Sequence, residues 1–386
     1  MIDPSAFTPP YDHHLCTGLS QVGHDVTLFT TNFEYIGWEN KIPYDKLEFF
    51  YENTNKMYPE RDQNWHRQLI KGSEHILDMF RLSRKIKKLN PDVVHFQWLP
   101  LPILDGIIVK KIKNIAAVVH TVHDTKPYHG ATPSRLQVLG SRSIRKVFDE
   151  LIVHTEEAKS VLTERGVQNS KISVVPHGPL DYPNVDTETD EPVSQSDNKQ
   201  TILFFGVIKE YKGVDVLLRA FAKLTPELQC QTKLKIAGSS SLEINELQEL
   251  ASDLGIEQYI DWDIRYIPDE EVPKLFESAE IVVFPYRNAD QSGALMTTLP
   301  YGKPIIASNV GGFAEVLSDG THGRLVEPES SESLSMALEE ILSDEYKQVQ
   351  MGNAVLDLYE NTYSWKKIAK QTANVYEDAI DSTKLL

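Results

Sequence analysis

Four consecutive apolar residues, Ile281-Val282-Val283-Phe284, are followed by a polar loop from Tyr286 to Gln291, and then by Ser292-Gly293-Ala294 opening a weakly amphipathic segment that stops at Gly302. A short, unbroken β-branched run suits a strand covered on both faces, which belongs to parallel sheets. Gly302 is the expected helix terminator, because glycine enters the left-handed conformation without a Cβ clash. A second run, Ile305 to Ala307, follows at once and leaves through Gly311-Gly312 with Glu315 just beyond. Strand, loop, helix, strand is a βαβ unit, and a helix start set between two strand ends offers unpaired N–H groups to an anion. The stretch predicts a site for a phosphate-bearing ligand. The alternative is an ordinary βαβ unit whose glycines only permit tight turns.

The rest of the chain repeats this alternation twice over. In the first half, Thr8-Pro9-Pro10-Tyr11 reads as a turn with Asp12 capping a helix. Strands are expected at Asp25–Thr31, Asp92–Gln97, Ala116–Val122, Glu150–Thr155 and Lys171–Pro176. Helices are expected at Trp65–Leu89, Pro100–Ile112, Ser134–Phe148 and Glu156–Arg165, and the aromatic stretch from Phe33 to Asn64 reads as an irregular surface excursion. The N-terminal Met1-Ile2 supplies only a stub where a first strand belongs. The second half restarts with Thr201 to Phe205 and Gly206 and continues with strands at Lys233–Ala237, Tyr259–Trp262 and Gly323–Val326. Between the halves, PLDYPNVDTETDEPVSQSDNKQ has three prolines, an acidic bias and no apolar period. The expected division is a Rossmann-like domain over 1–180, a linker over 181–200, a second Rossmann-like domain over 201–364, and a helix over 365–386 crossing back to the first.

At 386 residues the chain fits two domains, and no apolar run approaches the ~18 residues of a membrane helix. The N-terminus has neither a basic segment nor an apolar core, so no secretory signal is expected. Cys16 and Cys230 lie far apart with no metal spacing, which fits a reducing cytoplasm. The net charge of −17 is carried by the second half. In the first half, basic residues gather as Arg81 to Lys88, Lys110 to Lys113 and Arg142 to Lys146, either as solvated helix faces or as a peripheral contact for an anionic membrane. Nucleic acid is not an expected partner at a pI near 5.2.

The strings FFGVIKEYKGVDVLL, LKIAG, IVVFPY, SGALMTTLPYGKPIIASNVGGFAEVL and GRLVEP, in that order, resemble the retaining glycosyltransferases of the GT-B fold, family 4, group 1. GHDVTLFTT, PDVVHFQW, VHDTKP, LIVHTEEAK and VVPHG extend the resemblance through the first half. It implies two Rossmann-like domains facing each other across a cleft. It also implies transfer of a hexose from a nucleotide diphosphate sugar to a saccharide or lipid-linked acceptor, with no metal or other cofactor.

In such enzymes the charge growing on the leaving diphosphate is met by cations and N–H dipoles. The resemblance puts Lys212 in that role, with Lys209 as a second cation because Val207 stands where the family commonly has arginine. It assigns donor contacts to Gly206, Gly238, Ser292, Gly293, Ala294 and Glu315, a catalytic role to His123 and Asp124 in the loop after the VVHTV strand, and the acceptor wall to Tyr11 and Asp12. Two glutamates eight positions apart in many relatives fall here on Ala289 and Thr297. Asp290 lies beside the first, and the Thr297 hydroxyl is left to meet the ribose. Two other readings share the fold: a nucleotide-sugar 2-epimerase, and a catalytically silent sugar-nucleotide or glycan-binding relative.

Overall fold

The structure is a computed structural model that describes residues 1–35, 38, 41–58, 65–124, 144–179, 199–289 and 292–384. The expected linker as far as residue 198, the start of the helix expected at Ser134, and Asp290 lie outside the described residues. The chain divides into two compact units, Met1–Gly178 with Trp365–Leu386, and Pro179–Ser364.

The first unit runs through α1 (Pro9–Gln21), β1 (Thr27–Thr31), β2 (Asp45–Phe50), α2 (Glu52–Met57), α3 (Trp65–Leu89), β3 (Val93–Phe96), α4 (Pro102–Ile112), β4 (Ala117–Thr121), β5 (Glu150–Val153), α5 (Glu156–Glu164) and β6 (Ile172–Val174). The strands β3-β4-β5-β6 form one parallel sheet and β1-β2 another. The N-terminal stub joins them. Ile2 N–H donates to His95 O at 2.8 Å and Ile2 O accepts from Gln97 N–H at 2.9 Å, while Asp3 N–H donates to Phe29 O at 3.0 Å. Two residues thus act as an interior strand between β1 and β3, and the order becomes β2-β1-stub-β3-β4-β5-β6. The excursion expected over 33–64 proves partly regular, since β2 and α2 lie within it.

The second unit runs through β7 (Gln200–Phe205), α6 (Val214–Phe221), α7 (Pro226–Gln231), β8 (Thr232–Ala237), α8 (Ile244–Asp253), β9 (Ile260–Asp263), α9 (Val272–Glu277), β10 (Ile281–Phe284), α10 (Gly293–Thr298), β11 (Ile305–Ser308), α11 (Gly312–Val316), β12 (Gly323–Val326), α12 (Ser331–Leu342) and α13 (Glu345–Leu358). Its six strands are parallel in the order β12-β11-β10-β7-β8-β9. All four residues of β10 and of β11 are buried, as the uninterrupted apolar runs require. Gly302 ends the α10 segment with φ 57°. The direction of winding reverses between β7 and β10, so the loops leaving these two strands diverge at the sheet's carboxyl edge. That is where doubly wound sheets bind ligands. A last helix, α14 (Trp365–Lys384), packs on α1 in the first unit.

Candidate functional site

The loop after β7 turns at Gly206, whose φ of +121° is open to glycine and to few other residues. A Cβ added there would lie 2.8 Å from Lys212 Nζ, so the lysine folds back over the strand end. Lys212 closes a short 3-10 turn, Glu210–Lys212, and the next residue, Gly213, presses on the exit of β10. A Cβ on Gly213 would meet Pro285 O at 2.0 Å.

Lys212 is only 9% exposed, its Nζ stands 5.1 Å from the centre of the Tyr286 ring, and no hydrogen bond or ion pair ties it to a described group. Burial, helped by the neighbouring charge of Lys209, brings its pKa down to about 8. Lys209 itself is half-buried. A largely dehydrated ammonium without a carboxylate is costly unless an anion completes it. A cation held in this way at the switch point is chemically suited to meeting an anion.

The start of α10 adjoins this point. Ser292 caps the helix, its Oγ accepting from Leu295 N–H at 3.2 Å. Gly293 is exposed, Ala294 half-buried, and the Ala294 Cβ would lie 3.8 Å from a Cβ on Gly206. Gly238 is buried, and a Cβ on it would strike Gly206 O at 2.3 Å, so it lets the β7 and β8 exits approach each other. Glu315 stands on the exposed side of α11, where its carboxylate acts on Tyr363. Burial first, and that charge second, raise the Tyr363 pKa to about 12.

Thr297 departs from the expectation. It is 1% exposed, and its hydroxyl donates to Gly293 O at 3.0 Å, one turn back in its own helix. This is the usual fate of a threonine inside a helix, and it removes Thr297 from any ribose contact.

In the first unit, the ends of β3, β4, β5 and β6 carry histidines. His123 Nε2 lies 2.8 Å from Gln97 Oε1, and its Nδ1 lies 3.2 Å from His154 Nε2. His154 Nδ1 lies 3.0 Å from Val175 O, which can only accept. The neutral His154 ring therefore donates to that carbonyl and leaves its Nε2 as an acceptor, while the single N–H of a neutral His123 serves either Gln97 Oε1 through Nε2 or His154 Nε2 through Nδ1, not both. Trp98 stacks on His123 at 4.9 Å. Burial holds both histidines neutral, His154 at about 3 and His123 well below its ordinary value. Both ring nitrogens of His123 thus face groups of the same unit. Asp124 is half-buried, and its carbonyl accepts from Arg145 at 3.1 Å.

The acceptor wall assigned to Tyr11 and Asp12 is overturned. Thr8-Pro9-Pro10 is no free turn: Thr8 is the N-cap position and the prolines form the first turn of α1, which suits residues whose missing N–H would go unpaired anyway. Tyr11 and Asp12 then face inward, 1% and 0% exposed. The Tyr11 ring packs edge-on against His123 at 5.0 Å and Trp365 at 5.3 Å, and Asp12 is driven well above the usual carboxylate range by burial and by the nearby Asp3.

Arg287 was not singled out by the sequence. Its N–H donates to Tyr211 O at 2.7 Å and its guanidinium to Glu210 O, to Asp215 at 2.7 Å and to Glu329 at 2.8 Å. It therefore fastens the turn bearing Lys212 to the loop leaving β10. Nothing in a single sequence marks it, because its partners lie 42 to 77 positions away.

Two α/β units with parallel sheets, the second with a buried lysine at its switch point, define a protein of paired doubly wound folds. Residues 11–179 match the family model described as Glycosyltransferase Family 4, and residues 186–356 match the one described as Glycosyl transferases group 1. The chain belongs to this glycosyltransferase family. An uncharacterized glycosyltransferase of Methanocaldococcus jannaschii is 30% identical over 49% of this chain and 47% of that protein. The D-inositol 3-phosphate glycosyltransferase of Corynebacterium aurimucosum is 28% identical over 73% of this chain and 69% of that protein. The alignments thus span between about half and about 70% of the length of these relatives. The crystal structure of Anabaena HepE in complex with UDP and glucose shares the fold, with a TM-score of 0.70 at 15% identity over 97% of each chain.

Proposed function

We propose that this chain transfers a hexose from a nucleotide diphosphate sugar to a saccharide or lipid-linked acceptor, in the cytoplasm, with retained stereochemistry and without a metal ion. The observation that carries the reading is Lys212, a buried ammonium with no carboxylate, set over Gly206 at the switch point of the second unit. The family relationship supports the reaction type, and HepE, of the same fold, is described in complex with UDP and glucose.

In this reading the C1–O bond of the donor breaks as the acceptor oxygen attacks from the same face. The acceptor proton passes to the departing phosphate oxygen, so no enzyme nucleophile is needed. Lys212, Lys209 and the N–H groups at Gly293 and Ala294 meet the charge on the diphosphate. The reading is tested by incubating the purified chain with UDP-, GDP-, ADP- and dTDP-hexoses in excess EDTA. Slow donor hydrolysis in EDTA is expected with one of them, and hexose transfer once a saccharide acceptor is added. The absence of Ala289 and Thr297 carboxylates favours the silent-binding reading as a second possibility, and that reading is established if donor binds while neither product forms.

The site has a pH signature. An anion prefers the protonated lysine, whose pKa lies at about 8 in the free protein. Affinity for UDP is expected to hold between pH 6 and 7.5 and to fall as the pH rises through about 8, with calorimetric titration as the check; a flat profile to pH 9.5 would remove Lys212 from the contact. Gly206→Ala is expected to weaken UDP binding about tenfold or more, equivalent to ~1.4 kcal/mol, because the new methyl occupies the lysine's place in a backbone region alanine avoids. Unchanged affinity in a folded Gly206→Ala protein would show that Nζ need not sit there.

A further inference from the structure

Among the basic groups of the first half, two converge and the third does not. Arg145, in the third, is buried. Helices α3 and α4 lie side by side, linked by His75 Nε2 to Asp105 at 2.7 Å and by Lys111 Nζ at 4.9 Å from the Phe80 ring. Both links run in the same sense, so the helices are parallel and Leu77 and Ile107 fall between them.

The outward stripes are apolar. Leu77 is 65% exposed and Ile107 51%, with Phe80 and Ile103 also open. At helical spacing the stripes continue into Arg84 and Lys88 on α3 and into Lys111 on α4. Seven Lys and Arg lie in α3 and two in α4, within a chain of net charge −17. The three acidic residues of these helices, Glu74, Asp78 and Asp105, are all buried. Arg81 pairs with the buried Asp78 at 2.8 Å, and the outer face of the two helices is otherwise apolar and basic, with no exposed carboxylate of their own.

We infer that this face docks on an anionic lipid bilayer. Apolar side chains ringed by cations, on a helix lying flat, match an interface where acyl chains meet negative headgroups. A second copy of the chain pairing face to face would set like charges against each other, and a nucleic acid would leave the aliphatic stripe unused. Exposed apolar patches of this kind mark interaction sites rather than ordinary surface. The inference does not depend on the donor assignment, because no residue of the second unit enters it.

The test is flotation of the full chain with vesicles of phosphatidylcholine and phosphatidylglycerol in a 7:3 ratio, against vesicles of phosphatidylcholine alone. The protein is expected to float with the first and not the second, and to be released by 0.5 M salt at about the slope that charge screening sets. Leu77→Ser with Ile107→Ser, and separately Arg84→Glu with Lys111→Glu, are each expected to lower partitioning about tenfold or more, with melting temperature unchanged as the check on folding. Failure of the unaltered chain to float with the acidic vesicles would overturn the inference. So would variants that float as well as it does, or a dimer in sedimentation that Leu77→Ser dissolves.

Discussion

Lys212→Met is expected to reduce hexose transfer by about 10²- to 10³-fold while raising the melting temperature by a few degrees. Loss of a cation that meets charge on the leaving group acts on the transition state, so kcat falls with kcat/KM. The gain in stability comes from the state without ligand. A buried ammonium whose pKa drops from 10.5 to about 8 loses free energy on folding, at about 1.4 kcal/mol per tenfold change in proton affinity, for a ceiling of about 3 kcal/mol.

The sign follows from linkage. Below pH 8 the lysine is protonated in both states, and the folding penalty is present in full. Between about 8 and 10.5 the unfolded chain binds more protons than the folded one, so stability rises with pH across that window. The stabilisation of Lys212→Met over the unaltered chain is therefore largest below pH 8 and shrinks above it. A thermal melt series from pH 6 to pH 10 measures this. A variant that melts lower than the unaltered chain at pH 7 would show that the lysine is paired rather than waiting for an anion.

Arg287→Ala is expected to weaken UDP binding about tenfold or more and to cost about 1–3 kcal/mol in stability. Its ion pairs with Asp215 and Glu329 are partly exposed, and such pairs contribute little by themselves. The weight falls on the guanidinium bond to the Glu210 carbonyl, which holds the 3-10 turn carrying Lys212 against the exit of β10, while the main-chain bond from Arg287 N–H to Tyr211 O survives the substitution. Without the guanidinium the turn is held by that one main-chain bond, and the lysine is aimed less firmly. Arg287→Lys is expected to recover part of the stability and little of the affinity, because an ammonium cannot serve one carbonyl and two carboxylates as a planar fork does. UDP titration on both variants decides the matter: affinity retained in Arg287→Ala removes the positioning role.

The second unit was the more legible in the sequence. Its strands are unbroken apolar runs such as Ile281–Phe284 and Ile305–Ser308, and Gly302 in its left-handed conformation ended the helix as its chemistry requires. In the first unit two features escaped. The strand β2 carries Lys and Glu among its aromatics and is half-exposed, so no clean period marks it. The interior strand between β1 and β3 is a two-residue stub whose place is set by hydrogen bonds to both, partners that periodicity cannot reveal.

The candidate site divides in the same way. Lys212 stood out because a lysine just before a glycine and a new helix follows a strand end, and the resemblance gave it a role. Tyr11 and Asp12 were misplaced because Pro-Pro has two uses, a turn and a helix start, and only packing against the sheet chose the second. Thr297 was credited with a free hydroxyl that the preceding helical turn had already taken. Arg287 was invisible because the four groups it holds come together only after the second sheet has formed.

The central claim is that the second unit grips a diphosphate through Lys212, and the most direct measurement is calorimetric titration of UDP and of UMP into the unaltered chain and into Lys212→Met. UDP is expected to bind the unaltered chain about tenfold or more tightly than UMP, with the preference gone in the variant. Equal affinities for UDP and UMP in the unaltered chain, or a preference for UDP that survives in Lys212→Met, would contradict the account.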